Sequence, residues 1–166
     1  MAAFDVDGVM TDGRLIYLAD GTEGKAFHVL DGHGIKLLRQ AGIVVAWITA
    51  RTSPVVERRA AELGVDHLHQ GETNKLARLL ALAEGHGIEL SEVAYMGDDL
   101  PDLACLESAG LAIVPANAHS AVAASAHWRT RLCGGEGAVR EACDLILTAR
   151  GDLHRAMDAA RRGGRP

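Results

Sequence analysis

Apolar runs a few residues long alternate along the chain with stretches of helical periodicity. Ala2–Val6 opens the series and leads into acidic and glycine residues. Arg14–Leu18 and Lys25–Val29 flank Ala19-Asp20-Gly21-Thr22, which predicts a β-hairpin over about 14–29. Ile43–Ile48 is continuously apolar and rich in β-branched residues, as expected of a strand buried on both faces. Val65–His69, Glu92–Met96, Leu111–Val114 and Trp128–Thr130 predict further strands. Between them lie helical patterns. Gly34–Gln40 stops at Gly42, and Ser53-Pro54 starts a helix that runs to Leu63 before Gly64. Thr73–Glu84 carries Leu76, Leu79, Leu80 and Ala83 on one face. Leu100–Ser108, Ser120–Ser125, Ala138–Thr148 and Asp152–Arg161 complete the helices, ahead of a flexible tail at about 162–166. This alternation predicts an α/β fold with a mostly parallel sheet.

Composition narrows the picture. A chain of 166 residues, 48% apolar and 23% charged, suits one globular domain. Its net charge of −5 argues against nucleic acid or an acidic membrane as the main partner. With 4% aromatics it has no platform for stacking single-stranded bases. Three cysteines without a C-x-x-C argue against a disulfide framework and a structural zinc site. There is no basic segment followed by an apolar stretch at the N-terminus, and no apolar run near the ~20 residues that span a bilayer. A cytoplasmic location is expected. The first strand starts almost at Met1, which points to a few N-terminal residues missing ahead of it.

The candidate chemistry lies at the strand ends, where open α/β sheets bind ligands. Asp5 and Asp7 close the first strand, Thr49 closes the second core strand, and Asp98 and Asp99 close a third. Asp102 follows one helical turn later, and Lys75 lies near the start of its helix. Acids gathered at one point repel each other, and a divalent cation relieves this. Oxygen ligands with few nitrogens suggest Mg²⁺. A lysine and a hydroxyl beside such a site suit a phosphoryl group. A strand-end aspartate can act as nucleophile, and the aspartate two residues on as general acid and then base.

Four segments carry a resemblance. Asp5-Val6-Asp7-Gly8-Val9-Met10-Thr11-Asp12-Gly13, Ile48-Thr49-Ala50-Arg51, Lys75 and Gly97-Asp98-Asp99-Leu100-Pro101-Asp102 resemble, in order, the four motifs of the haloacid dehalogenase superfamily of phosphatases. Leu30-Asp31-Gly32-His33-Gly34-Ile35, Gln70-Gly71 and Gly137-Ala138-Val139-Arg140-Glu141 extend the likeness to its capless branch acting on 3-deoxy-2-ulosonate phosphates. Three positions depart from that branch. Ala50 replaces a glycine, Leu30 replaces an arginine, and Glu136 stands where the eight-carbon enzymes have arginine in a glycine-rich loop.

The resemblance implies a single Rossmann-like domain over residues 1–166, with helices on both faces of the sheet and a hairpin after the first strand. It implies Mg²⁺-dependent hydrolysis of 3-deoxy-D-manno-octulosonate 8-phosphate in lipopolysaccharide sugar synthesis, with a nine-carbon 9-phosphate as the alternative. Asp5 would be nucleophile and Asp7 acid/base. Asp5, the Asp7 carbonyl and Asp98 would hold the metal, supported by Asp99 and Asp102. Thr49 and Lys75 would bind the phosphoryl group, and Arg51 and Gly8 the rest of the substrate.

About 35 residues separate the first two motifs, too few for a cap domain. A neighbouring subunit could close the site instead, and the resemblance implies a homotetramer built through the hairpin. Two other readings use the same residues. A phosphorylation-dependent receiver module has its acidic pair first and its lysine last, whereas here Asp5-x-Asp7 comes first, Lys75 between, and the acidic pair Asp98-Asp99 last. A non-catalytic oligomerisation domain would have lost Asp5, Asp7 or Asp98, all of which are present.

Overall fold

The short apolar runs form strands because both faces of the sheet they build are covered. The computed structural model describes residues 1–163. The chain forms β1 (Ala2–Phe4), β2 (Ile16–Tyr17), β3 (Glu23–Gly24), β4 (Val45–Ile48), β5 (His67–His69), β6 (Ala94–Met96), β7 (Leu111–Val114) and β8 (Trp128–Arg129). Six of these make one sheet in the order β5-β4-β1-β6-β7-β8, and every pairing is parallel. β2 and β3 form a separate antiparallel ribbon.

Side chains divide by parity along each inner strand. Phe4, Val45, Trp47, Met96 and Ile113 face one core, against α1 (Val29–Gln40), α2 (Pro54–Leu63) and α6 (Ala138–Ala149). Ala3, Ala46, Ile48, Tyr95, Ala112 and Val114 face the other, against α3 (Lys75–Gly85), α4 (Leu103–Ser108) and α5 (Ser120–Ala123). The expected layering, helices on both faces of a parallel sheet, is therefore present. α7 (Asp152–Arg161) packs along α6 and adds Leu153 and Ala156 to the first core. Between β1 and β4 lie only the ribbon and α1, with no inserted cap.

Three elements differ from the sequence expectation. α1 begins at Val29 rather than Gly34, so two glycines lie inside it. A Cβ on Gly34 would come within 3.0 Å of the Cys143 side chain, so the glycine lets α1 approach α6 closely rather than marking a helix start. The second strand of the ribbon is Glu23–Gly24, not Lys25–Val29. Asp20 accepts from Thr22 N at 3.0 Å, and Leu18 N donates to Thr22 O at 2.9 Å, which closes the turn early. The expected helix Leu100–Ser108 opens as a 3₁₀ turn over Leu100–Asp102 before α4. Pro101 and the Asp99 cap set that tighter entry. The tail expected at 162–166 falls largely on residues 164–166, outside the described residues.

The first core depends on close contact between α1 and the sheet. Leu38 on α1 is fully buried. Leu38→Ala is expected to cost about 2–5 kcal/mol, read as a lower urea midpoint with an unchanged slope.

Candidate active site

The chain runs from β1 to β4 on one side of the sheet and later crosses to β6 on the other. The carboxyl ends of these three strands therefore flank a topological switch point, where a crevice opens. A cleft of about 370 Å³ lies there, lined by Asp5, Asp7, Thr49, Arg51, Lys75 and Asp98 among others.

Backbone bonds fix the strand ends. Asp5 N donates to Met96 O at 2.9 Å, and Thr49 N donates to His69 O at 2.9 Å, so both residues extend the sheet past its strands. After Asp5 the chain turns tightly, with Met10 N and Thr11 N both donating to Val6 O. The Thr11 hydroxyl accepts from Gly8 N at 3.4 Å and Gly13 N at 3.3 Å and pins this turn. Thr11 lies inside the first motif, but the sequence shows no sign that its hydroxyl pins the turn.

Lys75 is the centre of the inner site. Its Nζ donates to Asp5 Oδ1 and Asp102 Oδ1, each at 2.7 Å, with all three side chains buried. Burial pulls the lysine pKa down, but the two carboxylates outweigh this and hold it above the ordinary value. Asp102 Oδ1 also accepts from the Tyr95 hydroxyl at 2.7 Å, and Oδ2 accepts from Asp98 N at 3.1 Å and Asp99 N at 3.4 Å. Tyr95 was not a candidate from sequence: it is an inward residue of β6, and only the packing of α4 brings Asp102 to it.

Oxygens of Asp5, Asp98 and Asp102 lie within 4.8 Å of one another, the geometry of a possible cation site. Both Asp102 oxygens are already engaged, which leaves Asp5 and Asp98 as the better ligands. Their electrostatics agree. Burial, then the Asp102 charge, raises the Asp5 pKa to about 7 despite Lys75. Burial, then Asp102 and Asp99, raises Asp98 to about 7. Carboxylates this reluctant to ionise are what a divalent cation would relieve.

The structure places Gly8, Asp99 and Glu136 as follows. Gly8, expected on the substrate, is buried and has a φ of 97°, and a Cβ there would collide with the Asp98 carboxylate. The missing side chain leaves that space to Asp98. Asp99 is exposed, and its carboxylate caps Leu100 N at 2.8 Å. It acts on the site through its charge on Asp98. Glu136 is exposed in the loop after β8, and it does not line the cleft.

Asp7 meets the ribbon. Lys25 Nζ makes a short contact with Asp7 Oδ1 and lies 2.9 Å from Glu23 Oε1. Arg51 reaches Glu23 Oε2 at 2.8 Å and Asp7 Oδ2 at 3.8 Å. Sequence reasoning placed Lys25 in a strand. Its rarity, as one of three lysines, was the one available signal.

With this geometry in place, comparison with known proteins is informative. The family model for haloacid dehalogenase-like hydrolases matches residues 65–139. The 3-deoxy-D-manno-octulosonate 8-phosphate phosphatase KdsC of Escherichia coli K12 is 48% identical over 153 residues, covering 92% of this chain and 81% of that protein. The Moraxella catarrhalis 3-deoxy-D-manno-octulosonate 8-phosphate phosphatase has been crystallised with magnesium ion, phosphate ion and KDO. It superposes with a TM-score of 0.93 at 47% identity, covering 95% of this chain and 91% of that one. A cobalt-bound deoxy-D-mannose-octulosonate 8-phosphate phosphatase from Haemophilus influenzae gives 0.87 at 40% identity, covering 90% and 88%.

The raised carboxylates set a pH dependence. Asp5 and Asp98 hold protons up to about pH 7 in the metal-free fold but only to about 3.8 when unfolded. The folded state therefore binds the extra protons in that window, and this contribution to stability falls as pH rises through it. Asp98→Asn removes one repelled charge. The metal-free variant should melt ~2–4 °C above wild type at pH 8, with the gap narrowing as pH falls below about 7 and closing only near 3.8, as read by differential scanning calorimetry. A lower melting point at pH 8 would contradict the repulsion.

Proposed function

This chain belongs to the haloacid dehalogenase-like hydrolases, among their 3-deoxy-D-manno-octulosonate 8-phosphate phosphatases, and from that premise we propose that it hydrolyses 3-deoxy-D-manno-octulosonate 8-phosphate with Mg²⁺ through an aspartyl phosphate on Asp5. The observation that carries the mechanism is Lys75, held 2.7 Å from Asp5 in a crevice where, despite Lys75, burial and the neighbouring acids keep Asp98 reluctant to ionise. We read residues 1–166 as one phosphatase unit serving lipopolysaccharide sugar synthesis.

The donor set fits a hard divalent ion: carboxylate oxygens of Asp5 and Asp98 with raised pKa values, and room for Asp98 made by Gly8. Asp5, Asp98 and the Asp7 carbonyl would hold Mg²⁺, which supplies charge neutralisation for the phosphoryl oxygens. The chain's own groups do the rest. A carboxylate oxygen of Asp5 attacks phosphorus while the bond from phosphorus to the sugar oxygen breaks. Asp7 donates its proton to that oxygen, which leaves as the alcohol. Water then attacks the aspartyl phosphate, Asp7 takes the water's proton, and phosphate leaves with Asp5 restored. Thr49 and Lys75 hold phosphoryl oxygens during both transfers, and Asp102 holds Lys75. Arg51, which is partly exposed, takes the substrate carboxylate.

A homotetramer formed through the ribbon completes this reading. Leu15, Ile16, Tyr17 and Leu18 are all exposed, Tyr17 by 70%, as are Val29 and Leu30. A contiguous apolar edge of this kind is the mark of an interface. A second subunit there would also roof a cleft that the chain leaves without a cap.

Two measurements test the reading. Asp5→Asn should abolish phosphate release from the octulosonate 8-phosphate, by at least about 10³-fold, while keeping the fold. Residual turnover within tenfold of wild type would remove Asp5 as nucleophile. A preference of the wild type for a nine-carbon 9-phosphate would instead favour the alternative substrate, for which Glu136 is the marker. Ile16→Asp with Leu18→Asp should convert the assembly to monomers in light scattering and lower the turnover. A tetramer unaffected by that pair would place the interface elsewhere.

A further inference from the structure

Four charged side chains at the base of the ribbon form a closed ring of alternating sign. Lys25 pairs with Asp7 and Glu23, and Arg51 pairs with Glu23 and Asp7. The ring's members are unequal. The Lys25 side chain is 1% exposed and the Arg51 side chain 42%. An ammonium that deep is costly unless its partners are fixed. Arg51 can leave the ring for a ligand, and Lys25 cannot. Asp7 is correspondingly asymmetric: Oδ1 is in short contact with Lys25, whereas Oδ2 is buried without a hydrogen bond, 3.8 Å from Arg51.

Resting on the phosphatase reading above, we propose that Lys25 is a positioning residue for the acid/base Asp7. It clamps Oδ1 and so presents Oδ2 to the leaving oxygen, and Glu23 holds Lys25 in place. Lys25 touches neither substrate nor phosphorus. It belongs to none of the four motifs and reaches Asp7 from just past the second strand of the ribbon. Its effect is confined to the step in which Asp7 Oδ2 passes its proton to the departing sugar oxygen. That proton is needed when the leaving group is a poor one, an alkoxide, and dispensable when it is a stable phenolate.

The leaving group therefore separates this role from a merely structural one. Lys25→Met, saturated with Mg²⁺, is compared with wild type in the first turnover. The substrates are the sugar phosphate that wild type hydrolyses best and p-nitrophenyl phosphate. The expected loss is about 30-fold for the sugar phosphate and about 3-fold for nitrophenolate release, mostly in kcat rather than KM. Lys25→Arg should recover part of the sugar-phosphate rate. Lys25→Gln, which keeps a hydrogen-bond donor without the charge, takes the same comparison if Lys25→Met does not fold. Equal losses on both substrates, or no loss on either, would overturn the proposal. A wild type that releases phosphate from neither substrate would overturn the phosphatase reading, and this inference with it.

Discussion

The fold places more negative charge at one point than it can neutralise by itself, and much of the site follows from that crowding. Asp5, Asp98 and Asp102 converge where the chain crosses from one half of the sheet to the other, and one buried ammonium lies among them. Lys75 bonds to two of the three. Asp102 survives full burial because a phenol, an ammonium and two amides satisfy its oxygens. Asp98 receives no such company and is left reluctant to ionise. The unevenness is what suits the site to a cation: a fully satisfied cluster would have no affinity left to give.

Much of this was legible in the sequence. Parity of apolar residues in the short runs and punctuation by Ser53-Pro54 and Gly64 are local signals, and the strands and α2 follow them closely. The inner residues Asp5, Thr49, Lys75 and Asp102 could be read because strand ends and helix starts convert position in the chain into position in space. Local signals failed where tertiary contact decides. Gly32 and Gly34 look like helix breakers, yet α1 runs through them because α2 needs the space at Gly32 and α6 the space at Gly34. Lys25 looked like one member of a strand, yet the ribbon closes before it and frees it to reach Asp7. Gly8 looked like a ligand-facing glycine, although the space it leaves belongs to Asp98. No pattern within a window of ten residues contains any of these facts.

The ribbon consequently has two unlike sides. Its strand residues Ile16 and Tyr17 are exposed and apolar, whereas Glu23 and Lys25 turn inward to Asp7. A small antiparallel pair is marginal on its own. Here its order rests on the ion pairs it makes to the site on one side, while its apolar edge is exposed on the other. Ten residues of chain, 16 to 25, thus carry both the exposed apolar edge and the ion pairs to Asp7.

The alternating ring also bears on how a substrate arrives. Its two acids and two bases cancel, so it has no net charge and its field dies away within a few ångströms. The protein as a whole carries −5. A sugar-acid phosphate, anionic at both its carboxylate and its phosphate, therefore meets weak repulsion rather than guidance, felt mainly once it comes within a Debye length, about 8 Å at physiological ionic strength. Encounter is slowest in dilute buffer and quickens as salt screens the approach, the opposite of the electrostatic steering seen in enzymes with a uniformly basic mouth.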